Sequence, residues 1–138
     1  MMTSDNNYFD HDADIGIIGY GASVEECFID AAEAMFALTA ALSSVHGHSC
    51  VELEFKEKDL ELAFVTWLNL LVAKSQAENL VFSRFELQRV NHLWKGRAWG
   101  ERWRDGIARG IEVKGATLTM LSVKQKNKQW IAQCVVDV

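Results

Sequence analysis

The segment DLELAFVTWLNLLVAKSQA, residues 59–77, is the most apolar helical segment of the chain. Asp59 is a typical helix N-cap, since its carboxylate can accept a hydrogen bond from a free backbone N–H of the first turn. Apolar residues then recur at the three- and four-residue spacing of one helix face, namely Leu60, Phe64, Trp67, Leu68, Leu71 and Val72. We expect this helix to form the centre of the core.

A second helix is predicted over residues 24–42. Ser23 and Glu26 form a capping box, in which the hydroxyl and the carboxylate each accept a hydrogen bond from a backbone N–H at the helix start. A buried stripe follows, formed by Cys27, Phe28, Ala31, Met35 and Leu38.

Alternating patterns predict strands before, between and after these helices. We expect strands at residues 15–20, 51–55, 81–87, 93–99, 111–115, 117–124 and 129–138. Residues 100–110 are predicted as a polar loop, and residues 125–128 as the loop of a hairpin. The chain is therefore predicted to be a single α+β domain, residues 1–138, with a mostly antiparallel sheet packed in two layers against two main helices.

Composition narrows the class of protein. The 138 residues carry a net charge of −5, are 49% hydrophobic and include no proline. A chain of this length buries enough surface to form a core without disulfides or a metal. No apolar run approaches the roughly 18 residues of a membrane span, and the first 14 residues are polar, unlike a secretory signal. The three cysteines form no C-x-x-C motif, so we expect free thiols in the cytoplasm.

Acidic residues at both ends of the sequence are candidate cation ligands. Residues 10–14 read Asp-His-Asp-Ala-Asp, and alternate residues of an extended segment project to one side. The final residues, Asp137 and Val138, follow a predicted strand and add a side-chain carboxylate and an α-carboxylate. Carboxylates are the ligands that hard divalent cations prefer. The spacing alone leaves an acidic turn and a strand that simply ends as alternatives.

Other motifs admit two interpretations each. Gly16, Gly19 and Gly21 fit a nucleotide-binding loop in part, but they also fit a tight turn into a capped helix. Lys114 fits a solvent-facing strand position or a phosphate contact. The Trp- and Arg-containing stretch at residues 94–104 fits RNA base stacking or core tryptophans beside solvated arginines. No catalytic nucleophile motif occurs, so we expect no enzymatic activity.

Five segments, in order along almost the whole chain, resemble motifs of the archease family. The first is His11-Asp12-Ala13-Asp14-Ile15-Gly16, and the second is the helix that carries Ser23 and Glu26. The others are Asp59-Leu60-Glu61 with Trp67-Leu68-Asn69, then Val113-Lys114-Gly115-Ala116-Thr117, then Val135-Val136-Asp137-Val138. The chain departs from the family pattern at Asp12, Gly115 and Leu118-Thr119, and it lacks the usual histidine after Gly100-Glu101.

The resemblance implies a function. Archeases are small cytosolic helpers of the RtcB-type RNA ligase, and they promote ligase guanylylation and multiple turnover in tRNA splicing and RNA repair. By position, the resemblance implies a divalent cation, calcium or else magnesium or manganese, held by Asp14, Asp137 and Val138. Lys114 corresponds to the family's functional lysine. Possible additional site residues are His11, Asp12, Asp59 and Glu61. Any contact with RNA is expected to be indirect or weak.

Two alternative functions stay open at this point. One is a metal-dependent phosphoester hydrolase that uses the same acidic residues. The other is an RNA-binding chaperone that uses residues 94–104. The oligomeric state also stays open, because an exposed edge strand can pair with a second copy or dock on the ligase.

Overall fold

The structure, a computed structural model, describes residues 5–138. Its helices are α1 (Val24–Thr39) and α2 (Leu60–Glu78), with short 3-10 turns at Asp5–Asn7 and Leu42–Ser44. Its strands are β1 (Tyr8–His11), β2 (Asp14–Gly21), β3 (Ser49–Lys56), β4 (Leu80–Val90), β5 (Leu93–Arg102), β6 (Gly115–Ala116), β7 (Ser122–Lys126) and β8 (Gln129–Asp137). Within residues 5–138, neither helix combines the length and apolar character needed to cross a membrane.

The strands form two antiparallel sheets. One has five strands in the order β1-β2-β8-β6, with β7 also paired to β8, and the other has three in the order β3-β5-β4. Strand β2 pairs with β8 from Ile15–Val136 to Gly21–Trp130, so the first long strand lies beside the last one. The predicted α+β class with antiparallel pairing and two main helices is confirmed, although the strands are divided between two sheets.

Both helices begin at the predicted caps. Ser23 Oγ accepts from Glu26 N at 3.1 Å, and the Glu26 carboxylate accepts from Ala22 N at 2.8 Å. In α2, Asp59 Oδ1 accepts from Leu62 N at 2.9 Å. The bonds from Glu26 N and Leu62 N satisfy donors that every helix leaves free in its first turn.

Helix α1 ends at Thr39, three residues earlier than predicted, because another segment takes its last carbonyl groups. Gly110 N donates to Thr39 O at 2.8 Å and Ile111 N donates to Leu38 O at 2.7 Å. Gly110 permits this contact, since a Cβ there would lie 2.3 Å from Leu38 O. The prediction of a strand at residues 111–115 is wrong, because the Ile111 amide caps α1 and strand pairing begins only at Gly115, in the two-residue β6.

The end of the chain also differs from the prediction. The expected strand at residues 117–124 is replaced by a turn followed by β7, because Met120 adopts a left-handed φ of 56° that interrupts an extended strand. The hairpin loop between β7 and β8 is shorter than predicted. It consists of Asn127 and Lys128, whose φ angles of 53° and 67° fit a two-residue turn.

The glycines before α1 allow close packing rather than forming a phosphate loop. A Cβ on Gly19 would lie 2.0 Å from the backbone oxygen of Cys27 in α1, so only glycine lets the helix approach β2 this closely. Because β2 pairs with antiparallel neighbours on both sides, the parallel βαβ unit of a dinucleotide site is absent from the described fold.

One buried cluster joins both helices and both sheets. Trp67 of α2 is fully buried, and its indole N–H donates to Phe28 O of α1 at 3.0 Å. The Phe28 ring stacks on Trp94 of β5 with centroids 5.3 Å apart. Ile17 adds β2 to the same cluster. The prediction that α2 occupies the centre of the core is confirmed.

Candidate functional site

The predicted metal ligands lie at one corner of the five-stranded sheet. Strand β2 begins at Asp14 and strand β8 ends at Asp137, one residue beyond the Ile15–Val136 pair. Val138 N donates to Asp14 Oδ1 at 3.3 Å, across 124 residues of sequence. Antiparallel pairing therefore brings the N-terminal and C-terminal acidic motifs together.

Both aspartates project from the same face of the sheet. Residues opposite each other on paired strands share a face, and successive residues alternate. Val136 is fully buried and Ile15 packs against the core, so the row one residue away, which holds Asp14 and Asp137, points to the opposite face. His11 pairs with Asp14, and Gly115 pairs with Asp137, so the row extends over four strands.

Lys114 lies beside this row. Its backbone N–H donates to Asp137 O at 2.8 Å, which ties the start of β6 to the end of β8. Its side chain is exposed, and among residues 5–138 no carboxylate approaches its ammonium within 4 Å. Lys114 is therefore a cation available to a partner.

The segment that carries Lys114 is anchored to α2 by Asn69. The Asn69 side-chain amide donates to Ala116 O at 3.1 Å, and its oxygen accepts from Ala116 N at 2.8 Å. Residues in the Trp67-Leu68-Asn69 motif thus have separate tasks: Trp67 fills the core and Asn69 holds β6. Sequence reasoning recognised this motif but did not identify the role of Asn69.

The chemistry of the corner suits a hard cation. Asp14 and Asp137 offer carboxylate oxygens, and Val138 lies beside them, with its backbone N–H on Asp14 Oδ1. In the described part of the chain, no Lys, Arg or His nitrogen lies within 4 Å of the two aspartates. Clustered carboxylates without a paired cation gain most from binding a divalent ion such as calcium, magnesium or manganese. These residues therefore fit the ion that the resemblance implies.

The remaining acidic residues of the first motif do not join the corner. Asp12 lies in the two-residue turn between β1 and β2, with φ of 52°, and its side chain is 93% exposed. Asp10 pairs with Ile15 and so belongs to the other face. The interpretation that Asp10, Asp12 and Asp14 converge is wrong, because the turn reverses the chain between them. His11 lies in the acidic row, with its Nδ1 3.7 Å from Asp12 Oδ2.

Asp59 and Glu61 lie at the start of α2. The Asp59 carboxylate caps the helix, and Glu61 is an exposed acidic residue of the first turn, where the helix dipole favours negative charge. Within residues 5–138, no hydrogen bond or ion pair connects either of them to Asp14, Asp137 or Lys114. The structure gives them a role in helix stability.

Several side chains of the Trp- and Arg-containing stretch have partners within the chain. Trp94 is fully buried, Trp99 lies under the guanidinium of Arg84 at 4.2 Å, and Trp103 lies under that of Arg109 at 4.0 Å. Lys95 and Arg97 lie 3.8 Å and 3.4 Å from glutamates of β3. Because Trp94 is buried and the other two indoles stack on arginines of this chain, these contacts do not favour the RNA-binding chaperone.

Comparisons with known proteins agree with the motif resemblance. Residues 7–138 match the family model described as "Archease protein family (MTH1598/TM1083)". The chain is 34% identical over 134 residues to protein archease of Sulfolobus acidocaldarius, covering 95% of this chain and 96% of that one. It is 31% identical over 137 residues to protein archease of Methanosarcina mazei, covering 95% and 94%.

Two solved structures have the same fold. The solution structure of Methanobacterium thermoautotrophicum protein 1598 matches with a TM-score of 0.85 and 29% identity, over 96% of this chain and 97% of that one. The crystal structure of an archease from Thermotoga maritima, described as a possible chaperone, matches with a TM-score of 0.68 and 18% identity, over 100% and 98%. The second likeness shows the fold alone. The family match over residues 7–138, together with relatives above 30% identity, shows that the chain belongs to the archease family.

Proposed function

We propose that this protein is a non-enzymatic accessory factor of an RtcB-type RNA ligase. It promotes guanylylation of the ligase and its multiple turnover during tRNA splicing and RNA repair in the cytoplasm. Family membership supports the accessory role. The observation that carries the proposal is the corner where Asp14, Asp137 and Lys114 come together, although they are far apart in sequence.

The proposed cation site consists of Asp14, Asp137 and Val138. A bound divalent ion supplies positive charge that offsets the carboxylates and connects β2 to β8. Calcium is the proposed ion, with magnesium and manganese as alternatives that favour the same oxygen ligands. The hydrogen bond that Val138 N donates to Asp14 Oδ1 orients the Asp14 carboxylate toward Val138.

Lys114 is the proposed contact with the ligase. An exposed ammonium attracts phosphate oxygens as a point charge, and guanylylation is a reaction of a nucleoside triphosphate. The Asn69–Ala116 bonds and the Lys114–Asp137 backbone bond hold this segment in place. The protein thus presents one cation beside a carboxylate cluster on a rigid edge, where it can reshape the guanylylation site or position a metal there.

The test is a guanylylation assay that combines the RtcB-type ligase of the source genome with this protein, with Asp14→Asn or with Lys114→Ala. Both variants are expected to lose most of the stimulation. Matched controls are Asp10→Asn, four residues away on the opposite face, and Lys124→Ala, an exposed lysine of β7. Full stimulation by both site variants contradicts the proposal.

The same protein and variants distinguish the accessory role from phosphoester hydrolysis. Phosphoester turnover by the isolated protein with manganese, abolished by Asp14→Asn, would instead support the metal-dependent hydrolase. A genome in which an RtcB-type ligase gene neighbours this gene would support the accessory role.

A further inference from the structure

Two histidines and a glutamate cluster at a place remote in sequence from the acidic corner. His46 and His48 lie in the extended segment between the Leu42–Ser44 turn and β3, and Glu101 lies near the end of β5. Alternate residues of an extended segment share a side, and the two imidazole rings lie 5.5 Å apart. One ligand atom from each of the three residues lies within 4.8 Å of the other two.

Glu101 is held in place before any ligand arrives. The residue is only 7% exposed. Arg104 Nε donates to Glu101 Oε1 at 2.5 Å, and His46 N donates to Oε2. Arg104 also donates to Ser44 O at 2.9 Å, which fixes the guanidinium on the same loop. The hydrogen bond from Arg104, and then that from His46 N–H, lower the pKa of Glu101, so its carboxylate is ionised at neutral pH.

We propose that His46, His48 and Glu101 form a binding site for a borderline divalent metal such as Zn²⁺. Two imidazoles and one carboxylate are a ligand set that zinc uses in proteins, with the fourth position left to water. Calcium and magnesium prefer oxygen ligands, so the site is chemically distinct from the acidic corner.

The geometry requires little rearrangement. Ligands on a tetrahedral zinc ion lie about 2.0–2.2 Å from the metal, so two of them are about 3.3–3.6 Å apart. The ligand atoms here are within 4.8 Å, and both histidines are exposed, so their rings can rotate to close the remaining gap. Glu101 remains fixed and supplies the anchor. Arg104 then acts as an outer-shell partner that orients the ligating carboxylate.

A Zn²⁺ titration of the untagged protein, followed by ¹⁵N NMR of the histidine rings, tests the proposal. The resonances of His46 and His48 are expected to shift together and saturate at one Zn²⁺ per chain. The resonances of His92, which is exposed at the β4–β5 turn, are expected to stay in place. Calorimetry of the same titration gives the affinity.

Variants make the result decisive. His48→Ala is expected to weaken Zn²⁺ binding by more than the roughly 10–100-fold that loss of an outer-shell partner causes. His92→Ala is the matched control. Asp14→Asn is expected to keep the Zn²⁺-induced shifts of His46 and His48, which shows that the acidic corner does not cause them. The proposal is overturned if the rings of His46 and His48 fail to respond, if His92 responds equally, or if His48→Ala and His92→Ala bind Zn²⁺ alike. Because the readout is metal binding, its failure leaves the proposed ligase role untouched.

Discussion

Replacing Asn69 with alanine tests how α2 positions the segment that carries Lys114. Asn69→Ala removes two hydrogen bonds, of 3.1 Å and 2.8 Å, to the backbone of Ala116. Each such bond contributes about 1 kcal/mol net, so the direct loss is about 2 kcal/mol. Alanine is a better helix former than asparagine by up to about 0.7 kcal/mol, which offsets part of this loss. We expect the free energy of unfolding to fall by about 1–2 kcal/mol.

Urea unfolding measures the change directly. With a urea dependence near 2 kcal/mol per molar, typical of small proteins, the midpoint should fall by roughly 0.5–1 M. The amide of Ala116 loses its acceptor, so its hydrogen exchange should accelerate more than that of Trp67, which lies in the core. Ligase stimulation should decrease at temperatures where the protein remains folded, because β6 is no longer held against α2.

The matched control is Gln76→Ala, an exposed residue two turns later on α2 with no side-chain hydrogen bond among residues 5–138. Glutamine and alanine differ little in helix propensity, so its midpoint should stay near that of the parent protein. An Asn69→Ala protein with the parent midpoint and unchanged exchange at Ala116 would refute the assignment of Asn69 as the anchor of β6.

Three single side chains outside the corner affect stability or reactivity in measurable ways. Asp59→Ala should lower the free energy of unfolding by about 1 kcal/mol, measured by urea unfolding. Asp59→Asn should keep the parent stability, because asparagine caps a helix as well as aspartate does. An Asp59→Asn protein as unstable as Asp59→Ala would argue for a role of Asp59 beyond capping. Burial, and then the charge of Asp30, raise the pKa of Glu33 from 4.5 to about 7. The folded state therefore binds this proton more tightly than the unfolded state does. The free energy of unfolding should fall as the pH rises from about 4.5 to 7. In Glu33→Gln this pH dependence should disappear from urea unfolding curves. Burial raises the pKa of the Cys27 and Cys134 thiols to about 12, whereas Cys50 is exposed. A thiol reagent at neutral pH should therefore label only Cys50 in the native protein. The Cys50→Ser variant should remain unlabelled.

The helices were predictable because their signals are local. The start of each helix is marked by its capping residues, Ser23 with Glu26 in α1 and Asp59 in α2. The buried face of each helix is marked by the apolar stripe that follows within a few turns. The end of α1 was not predictable in this way. It depends on Gly110 and Ile111, which arrive about 70 residues later and take carbonyls that a longer helix would have used.

Strand β1 was missed because it is only four residues long and lies within a mostly polar, acidic stretch. This strand is held in place by its pairing with β2. The ring of Phe9 lies over Gly16, where a Cβ would be 2.1 Å from the ring. The His46–His48 segment carried a local signal, two histidines at alternate positions, but its partner Glu101 lies 53 residues beyond His48 and became visible only in the fold.

The two capped helices, the α+β class and the family motifs can be recognised from local sequence, because helix caps and apolar periodicity act between residues a few positions apart. Which distant residues meet depends on the fold. Asp14 joins Asp137, and Lys114 lies beside them, through the pairing of β2 and β6 with β8. The strands pair in this way because the pairing buries Ile17, Trp67 and the rest of the core together. The free energy of that burial depends on the whole chain and cannot be inferred from any short stretch of sequence.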